Sequence, residues 1–186
     1  MADAANDREV LAPILQTLIR DVHDFPTSGI VFKDITPLLA EPEALGAVVS
    51  ALAAHGRDGS GRTVVDKVVG IEARGFILAA PVALALGAGF VPVRKQGKLP
   101  GQTYEVSYEL EYGEATLAVH RDALDRGDRV LVVDDVLATG GTVAATAELV
   151  QLCGAEVEHV AVLLELSFLH GRERLGHLDA TALMTV

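Results

Sequence analysis

Two neighbouring carboxylates close an apolar run, and a loop of small residues follows them directly. The segment reads Val130-Leu-Val-Val-Asp-Asp-Val-Leu-Ala-Thr-Gly-Gly-Thr142. Ala138, Thr139, Gly140, Gly141 and Thr142 can bring several backbone N–H groups to one phosphate, aided by two hydroxyls and the dipole of the helix they open. Glycine allows the close approach and the unusual dihedrals such a loop needs. Asp134 and Asp135 repel a phosphate, so their place is as acceptors for vicinal sugar hydroxyls or as partners of a metal. A phosphate cradle beside a diol-binding acidic pair describes a ribose 5-phosphate site. The segment is not a Walker loop, and Gly87-Ala-Gly89 lacks the third glycine of a dinucleotide fingerprint.

A mainly parallel α/β sheet flanked by helices would position such a loop. Arg129–Val133 is the most strand-like run, and the helix that follows is expected to reach about Leu152. Lys67–Ile71, Phe90–Arg94, Glu156–Leu166 and Ala180–Val186 read as further strands. Glu41–His55, with Pro42 in its first turn, and Gly75–Leu86 read as helices. Strands alternating with helices predict ligand binding at the carboxyl edge of the sheet. From Asp7 to Val22, Val10, Leu11, Ile14, Leu15, Leu18, Ile19 and Val22 keep helical spacing. Tyr104–Tyr112 alternates apolar and polar residues, and Gly113 returns the chain along Ala115–His120. That hairpin is expected as an appendage over the carboxyl edge.

The 186 residues suit one domain spanning 1–186, and 50% of them are apolar, which excludes a mainly disordered chain. Lys plus Arg is 15 against 26 Asp plus Glu, a net charge of −11 that disfavours nucleic-acid and anionic-membrane partners. Cys153 is alone, so no internal disulfide or cysteine-based zinc cage is available, and the six histidines show no ligand spacing. The acidic start, with Asp3, Asp7 and Glu9, is unlike a secretory leader. Pro81, Gly87, Gly89 and Pro92 interrupt the longest nearly charge-free stretch. The expectation is a soluble, cytoplasmic protein.

Val130–Thr142 resembles the 5-phosphoribosyl pyrophosphate (PRPP) motif of type I phosphoribosyltransferases. Asp24-Phe-Pro-Thr-Ser-Gly-Ile-Val-Phe-Lys-Asp-Ile-Thr-Pro37, Gly70-Ile-Glu-Ala-Arg-Gly-Phe76, Arg94-Lys-Gln-Gly-Lys-Leu-Pro-Gly101, Leu110-Glu-Tyr-Gly113 and Val162-Leu-Leu-Glu-Leu166 extend the likeness to the adenine-specific branch. The resemblance implies roles residue by residue. Phe32 stacks on adenine, the backbone groups of Val31 and Lys33 read the purine edge, and Leu166 walls the base pocket. The family often carries Arg where Lys33 stands, which backbone readout tolerates. Ala73 and Arg74 lie in the pyrophosphate loop, where a cis Glu72–Ala73 peptide is implied. Arg94, Lys95 and Lys98 form a basic pyrophosphate clamp near a dimer interface. Residues about 7–40 contribute to the base pocket, and residues about 95–120 form a mobile β-hairpin hood. Glu111 and Tyr112 are the loop residues nearest the reaction, and Glu111 is either a base for the adenine proton or one more outward glutamate.

The implied activity is Mg²⁺-dependent purine salvage by a homodimer. The 5-phosphoribosyl group passes from PRPP to N9 of adenine, giving AMP and pyrophosphate through an oxocarbenium-like transition state. Few protein carboxylates need touch the Mg²⁺, which PRPP carries. Hypoxanthine, guanine or xanthine as the base, a PRPP- or purine-sensing regulator, and a nucleotide-binding module without turnover are the alternatives.

Overall fold

The computed structural model describes residues 11–109 and 113–186. Residues 11–18 form helix α1, which buries Leu11 and Leu15. Helical spacing predicts continuation to Val22, but the helix ends at residue 18 and Arg20–His23 forms strand β1 instead. The cause is tertiary. β1 pairs antiparallel with β2 (Val31–Asp34), setting Arg20 opposite Asp34 and Asp21 opposite Lys33. Both cross-strand pairs are ion pairs at 2.6 Å, and they favour the ribbon over the local helical period. The Asp24 carboxylate closes the turn between these strands by accepting from the Gly29 amide at 2.7 Å. Asp34 then starts α2 (Thr36–Ala40) by accepting from the Thr36 amide and hydroxyl at 2.9 and 2.7 Å. Those bonds, with Arg20, hold its carboxyl down to about 2. Residues 7–10, where the helix was expected to begin, lie outside the described residues.

Helix α3 (Pro42–Ala53) has proline in its first turn, as the sequence predicts. Two β-α-β units follow. The first is β3 (Lys67–Ile71), α4 (Arg74–Leu86) and β4 (Gly89–Lys95). The second is β7 (Arg129–Leu137), α5 (Gly141–Leu152) and β8 (Glu156–Glu165), with β9 (Ala180–Thr185) added. Between them lies the hairpin β5 (Thr103–Glu109) and β6 (Glu114–His120). Among the described residues the main sheet has seven strands in the order β5-β6-β4-β3-β7-β8-β9, with β4-β3-β7-β8-β9 parallel. The hairpin adds an antiparallel extension at the carboxyl end of the parallel sheet, the edge the sequence expects. β6 continues the sheet by pairing Ala118 with Arg94 and Leu117 with Lys95 at the carboxyl end of β4.

The parallel strands are apolar on both sides because both sides are covered. Val68, Leu131, Val133, Ala161 and Leu163 face a core shared with α1 to α4. Val69, Val130, Val132, Val160 and Val162 face the core under α5 and the hairpin. Each such side chain contributes roughly 1.5–3 kcal/mol on burial, so a one-residue slip of register would forfeit both cores. From β3 the chain crosses to β4 on one side, and from β7 it crosses to β8 on the other. The carboxyl ends of β3 and β7 thus diverge at a topological switch point, where α/β folds bind their ligands.

Candidate active site

The carboxyl end of β3 delivers Glu72, Ala73, Arg74 and Gly75, and the end of β7 delivers Asp134 and Asp135 and the loop 138–142. Glycine is needed where the two approach: a Cβ at Gly75 would stand 2.6 Å from Asp134 Oδ1 and 3.1 Å from the Val133 carbonyl oxygen. Asp134 Oδ1 accepts from the Asp135 amide at 2.8 Å. Both aspartates are buried. Burial pushes the Asp134 carboxyl well above the ordinary carboxylate range, and the neighbouring Asp135 charge adds to it. Asp135 is also pushed up by burial, against the pull of Arg74.

Arg74 connects what the sequence assigns to separate subsites. Its Nη2 lies 2.5 Å from Asp135 Oδ2, its Nη1 donates to the Lys33 carbonyl at 3.2 Å, and its guanidinium sits 4.8 Å from the centre of the Phe32 ring. The Asp135 contact is a close ion pair, and Oδ2 is buried beneath it. Phe32 also meets Phe25 edge to face at 5.2 Å.

Beside β2 a cavity of about 510 Å³ is lined by Val31, Lys33 and Leu166, with Ile30 and Phe168 among its other walls. Three of the four expected base-pocket residues therefore share one cavity, while the Phe32 ring turns to Arg74. The Lys33 ammonium is tied to Asp21 at 2.6 Å, and the Lys33 carbonyl accepts from Arg74.

The Glu72–Ala73 peptide is cis, as the resemblance implies. The Glu72 side chain, to which the sequence reading gave no role, organises the basic segment. It accepts from the Lys95 amide at 3.0 Å and from Arg94 Nε at 3.2 Å. Burial would raise its carboxyl, but the Lys95 amide and the Arg94 guanidinium outweigh that and hold it low. Arg94 also donates to the Lys98 carbonyl at 3.0 Å, so it braces the turn, while Lys95 and Lys98 remain exposed.

The loop Ala138–Thr142 runs into α5 through Gly140, whose φ of 80° favours glycine. A Cβ at Gly140 would fall on the Gly171 carbonyl oxygen, and one at Gly171 on the Ala138 carbonyl oxygen. The loop is thus seated backbone against backbone on the turn that begins at Gly171. Tyr108 from β5 and Arg174 from that turn both crowd Gly141. Neither had a role assigned from the sequence. Only the alternation of Tyr104–Tyr112 hinted that Tyr108 faces inward. Glu111 and Tyr112 lie outside the described residues. Among the described residues no group of three or more His, Cys, Asp or Glu side chains could hold a metal, and no helix is long and apolar enough to cross a membrane.

Comparisons with known proteins converge on one family. The phosphoribosyl transferase domain matches residues 36–185. The chain is 71% identical over 169 residues to the adenine phosphoribosyltransferase of a Nocardioides species, covering 91% of each chain. It superposes with a TM-score of 0.89 on adenine phosphoribosyltransferase from Rhodothermus marinus, at 49% identity over 96% of this chain and 99% of that one. The TM-score is also 0.89 with the Saccharomyces cerevisiae adenine phosphoribosyltransferase complexed with D-2,5-dideoxy-2,5-imino-altritol 1,6-bisphosphate and adenine, at 37% identity over 94% of this chain and 99% of that one.

Proposed function

This chain belongs to the phosphoribosyl transferase domain family, and from that premise we infer that it is an adenine phosphoribosyltransferase working in purine salvage. It transfers 5-phosphoribose from PRPP to N9 of adenine, giving AMP and pyrophosphate. The observation that carries this reading is Arg74, which at once touches Asp135 of the acidic pair, the Lys33 carbonyl and the Phe32 ring. A ribose held at Asp134 and Asp135 would then lie within one side chain's span of a base stacked at Phe32.

The bond from C1′ to the pyrophosphate oxygen breaks ahead of attack by N9, and the adenine N9 proton passes to Glu111 or to water as the new C1′–N9 bond forms. The protein's work is to hold these groups in line and to compensate charge. Thr139, Thr142 and the amides of Ala138, Gly140 and Gly141 hold the 5′-phosphate. Asp134 and Asp135 accept from the ribose hydroxyls and oppose the positive charge growing on the sugar. Ala73, Arg74, Arg94, Lys95 and Lys98 receive the pyrophosphate, with Glu72 fixing the position of Arg94. Phe32 stacks on the base, Leu166 walls it and the backbone at Val31 and Lys33 reads its edge.

Mg²⁺ is the cofactor of this reading. The donor set fits an ion carried largely by substrate oxygens: two buried carboxylates and no larger acidic cluster among the described residues. Bound there, it would neutralise charge on the departing pyrophosphate. Residues 1–186 are read as one catalytic unit in the cytoplasm. A second copy of the chain is read as its partner, with exposed Ile77 and Leu84 of α4 supporting such a surface.

The test is stoichiometry. One AMP and one pyrophosphate for each adenine consumed, abolished by a Mg²⁺ chelator and restored by Mg²⁺, is the expected result. PRPP hydrolysis without AMP would contradict it.

A further inference from the structure

We propose that Tyr108, on hairpin strand β5, is a positioning residue for the 5′-phosphate subsite and acts through the Thr142 hydroxyl. The inference rests on the functional reading above, which places that phosphate on the loop 138–142. The Thr142 hydroxyl donates to Tyr108 Oη at 3.1 Å. The tyrosine ring spans Gly141 so closely that a Cβ there would stand 2.9 Å from Tyr108 Cδ2. Along β5 the neighbours Ser107 and Glu109 are exposed while Tyr108 is half-buried against the core beneath α5. Its cross-strand partner is the small Ala115, so the ring turns to the phosphate loop instead of pairing across the hairpin.

Hydrogen-bond polarity explains why a phenol belongs there. Phosphate oxygens accept, and a threonine hydroxyl has one proton to give. In the structure Thr142 gives that proton to Tyr108 Oη; when phosphate takes it instead, the Tyr108 hydroxyl, which can accept or donate, turns to donate to Thr142 Oγ1. With phosphate bound, the chain Tyr108 O–H to Thr142 Oγ1–H to phosphate then runs in one direction, and each bond polarises the next. Tyr108 also keeps the Thr142 hydroxyl from the alternative open to threonine in helices, donation to a carbonyl four residues back. Thr146 takes that course in the same helix, donating to the Thr142 carbonyl at 2.8 Å. Among the described residues no second side chain hydrogen-bonds the Thr142 hydroxyl.

The test is a double-mutant cycle read by Kd for AMP and for adenine, using Tyr108→Phe, Thr142→Val and the pair. Phenylalanine keeps the ring over Gly141 and removes only the hydroxyl. We expect Tyr108→Phe to weaken AMP binding by about 3- to 10-fold, the range of one neutral hydrogen bond, with adenine binding unchanged. Adding Tyr108→Phe to Thr142→Val should then weaken AMP no further. Wild-type AMP affinity in Tyr108→Phe, an equal loss of adenine affinity, or a full additional loss on the Thr142→Val background would overturn the proposal. A wild-type protein that makes no AMP from PRPP and adenine would remove the functional reading and this inference together. An active wild type with an additive cycle removes this inference alone.

Discussion

Arg74 Nη2 stands 2.5 Å from Asp135 Oδ2, and this ion pair spans the gap between the carboxyl ends of β3 and β7. The same guanidinium reaches the Lys33 carbonyl and lies over Phe32. A planar, forked cation suits three simultaneous partners; a lysine ammonium does not. Arg74→Lys is expected to lower kcat/KM for AMP formation by about 100-fold, the scale on which a single preorganised donor acts in transition-state stabilisation. Steady-state kinetics with both substrates varied would check it. A loss below about threefold would mean that positive charge alone is what the site requires.

Phe32 should act on the base and not on PRPP. Replacing it by Leu keeps an apolar surface but removes the aromatic face, worth about 1–3 kcal/mol for a stacked base. The expected outcome is a rise in KM for adenine of about 10-fold or more, with KM for PRPP within twofold of wild type. Equal effects on both constants would place the ring elsewhere in the mechanism.

The buried acidic pair predicts a trade between stability and activity. The Asp134 carboxyl is raised by burial, so between its unfolded and folded values the native state holds the extra proton. Stability therefore falls as pH climbs through that window, from the ordinary carboxylate value of 3.8 upward. Asp134→Asn keeps an oxygen to accept from the Asp135 amide and removes the titration. Its melting temperature should exceed that of wild type at pH 7, by roughly 2–4 °C for each kcal/mol gained, and the gap should close towards pH 4. AMP formation should fall in the same variant. A lower melting temperature at pH 7 would show that the Asp134 charge is stabilising after all.

Much of this architecture is legible in the sequence because it is written in local patterns. The valine-rich strands, Pro42, the Thr139-Gly-Gly-Thr142 helix start and the Tyr104–Tyr112 alternation each specify an element by its own chemistry. The helix expected through Val22 breaks off because Arg20 and Asp21 find partners in β2, more than ten residues away, which no local period reveals. The hairpin joins the main sheet for a similar reason: its pairing with Arg94 and Lys95 is a fact of tertiary register. Within the site, the phosphate loop and acidic pair are readable as a contiguous motif. The part of Glu72 in bracing Arg94, and of Tyr108 in meeting Thr142, are contacts across 22 and 34 positions of sequence. Spacing says nothing about them.

The seating of the phosphate loop is the most exacting piece of packing. Gly140→Ala would meet both a left-handed backbone and the Gly171 carbonyl. Overpacking of that kind costs roughly 1–3 kcal/mol, in addition to the backbone penalty of about 1–2 kcal/mol. The variant should melt several degrees lower and bind PRPP at least 10-fold more weakly. Calorimetry and PRPP titration would check the two effects separately. Unchanged PRPP affinity in a folded protein would show that the loop's seating on Gly171 does not matter to phosphate binding.

The central claim is choice of base at a PRPP site. The most direct measurement supplies equal concentrations of adenine, guanine, hypoxanthine and xanthine with limiting PRPP and Mg²⁺, and separates the nucleotide products. The account predicts AMP as essentially the sole product, with pyrophosphate in equal amount. GMP, IMP or XMP as the main product, or PRPP left intact beside all four bases, would contradict it.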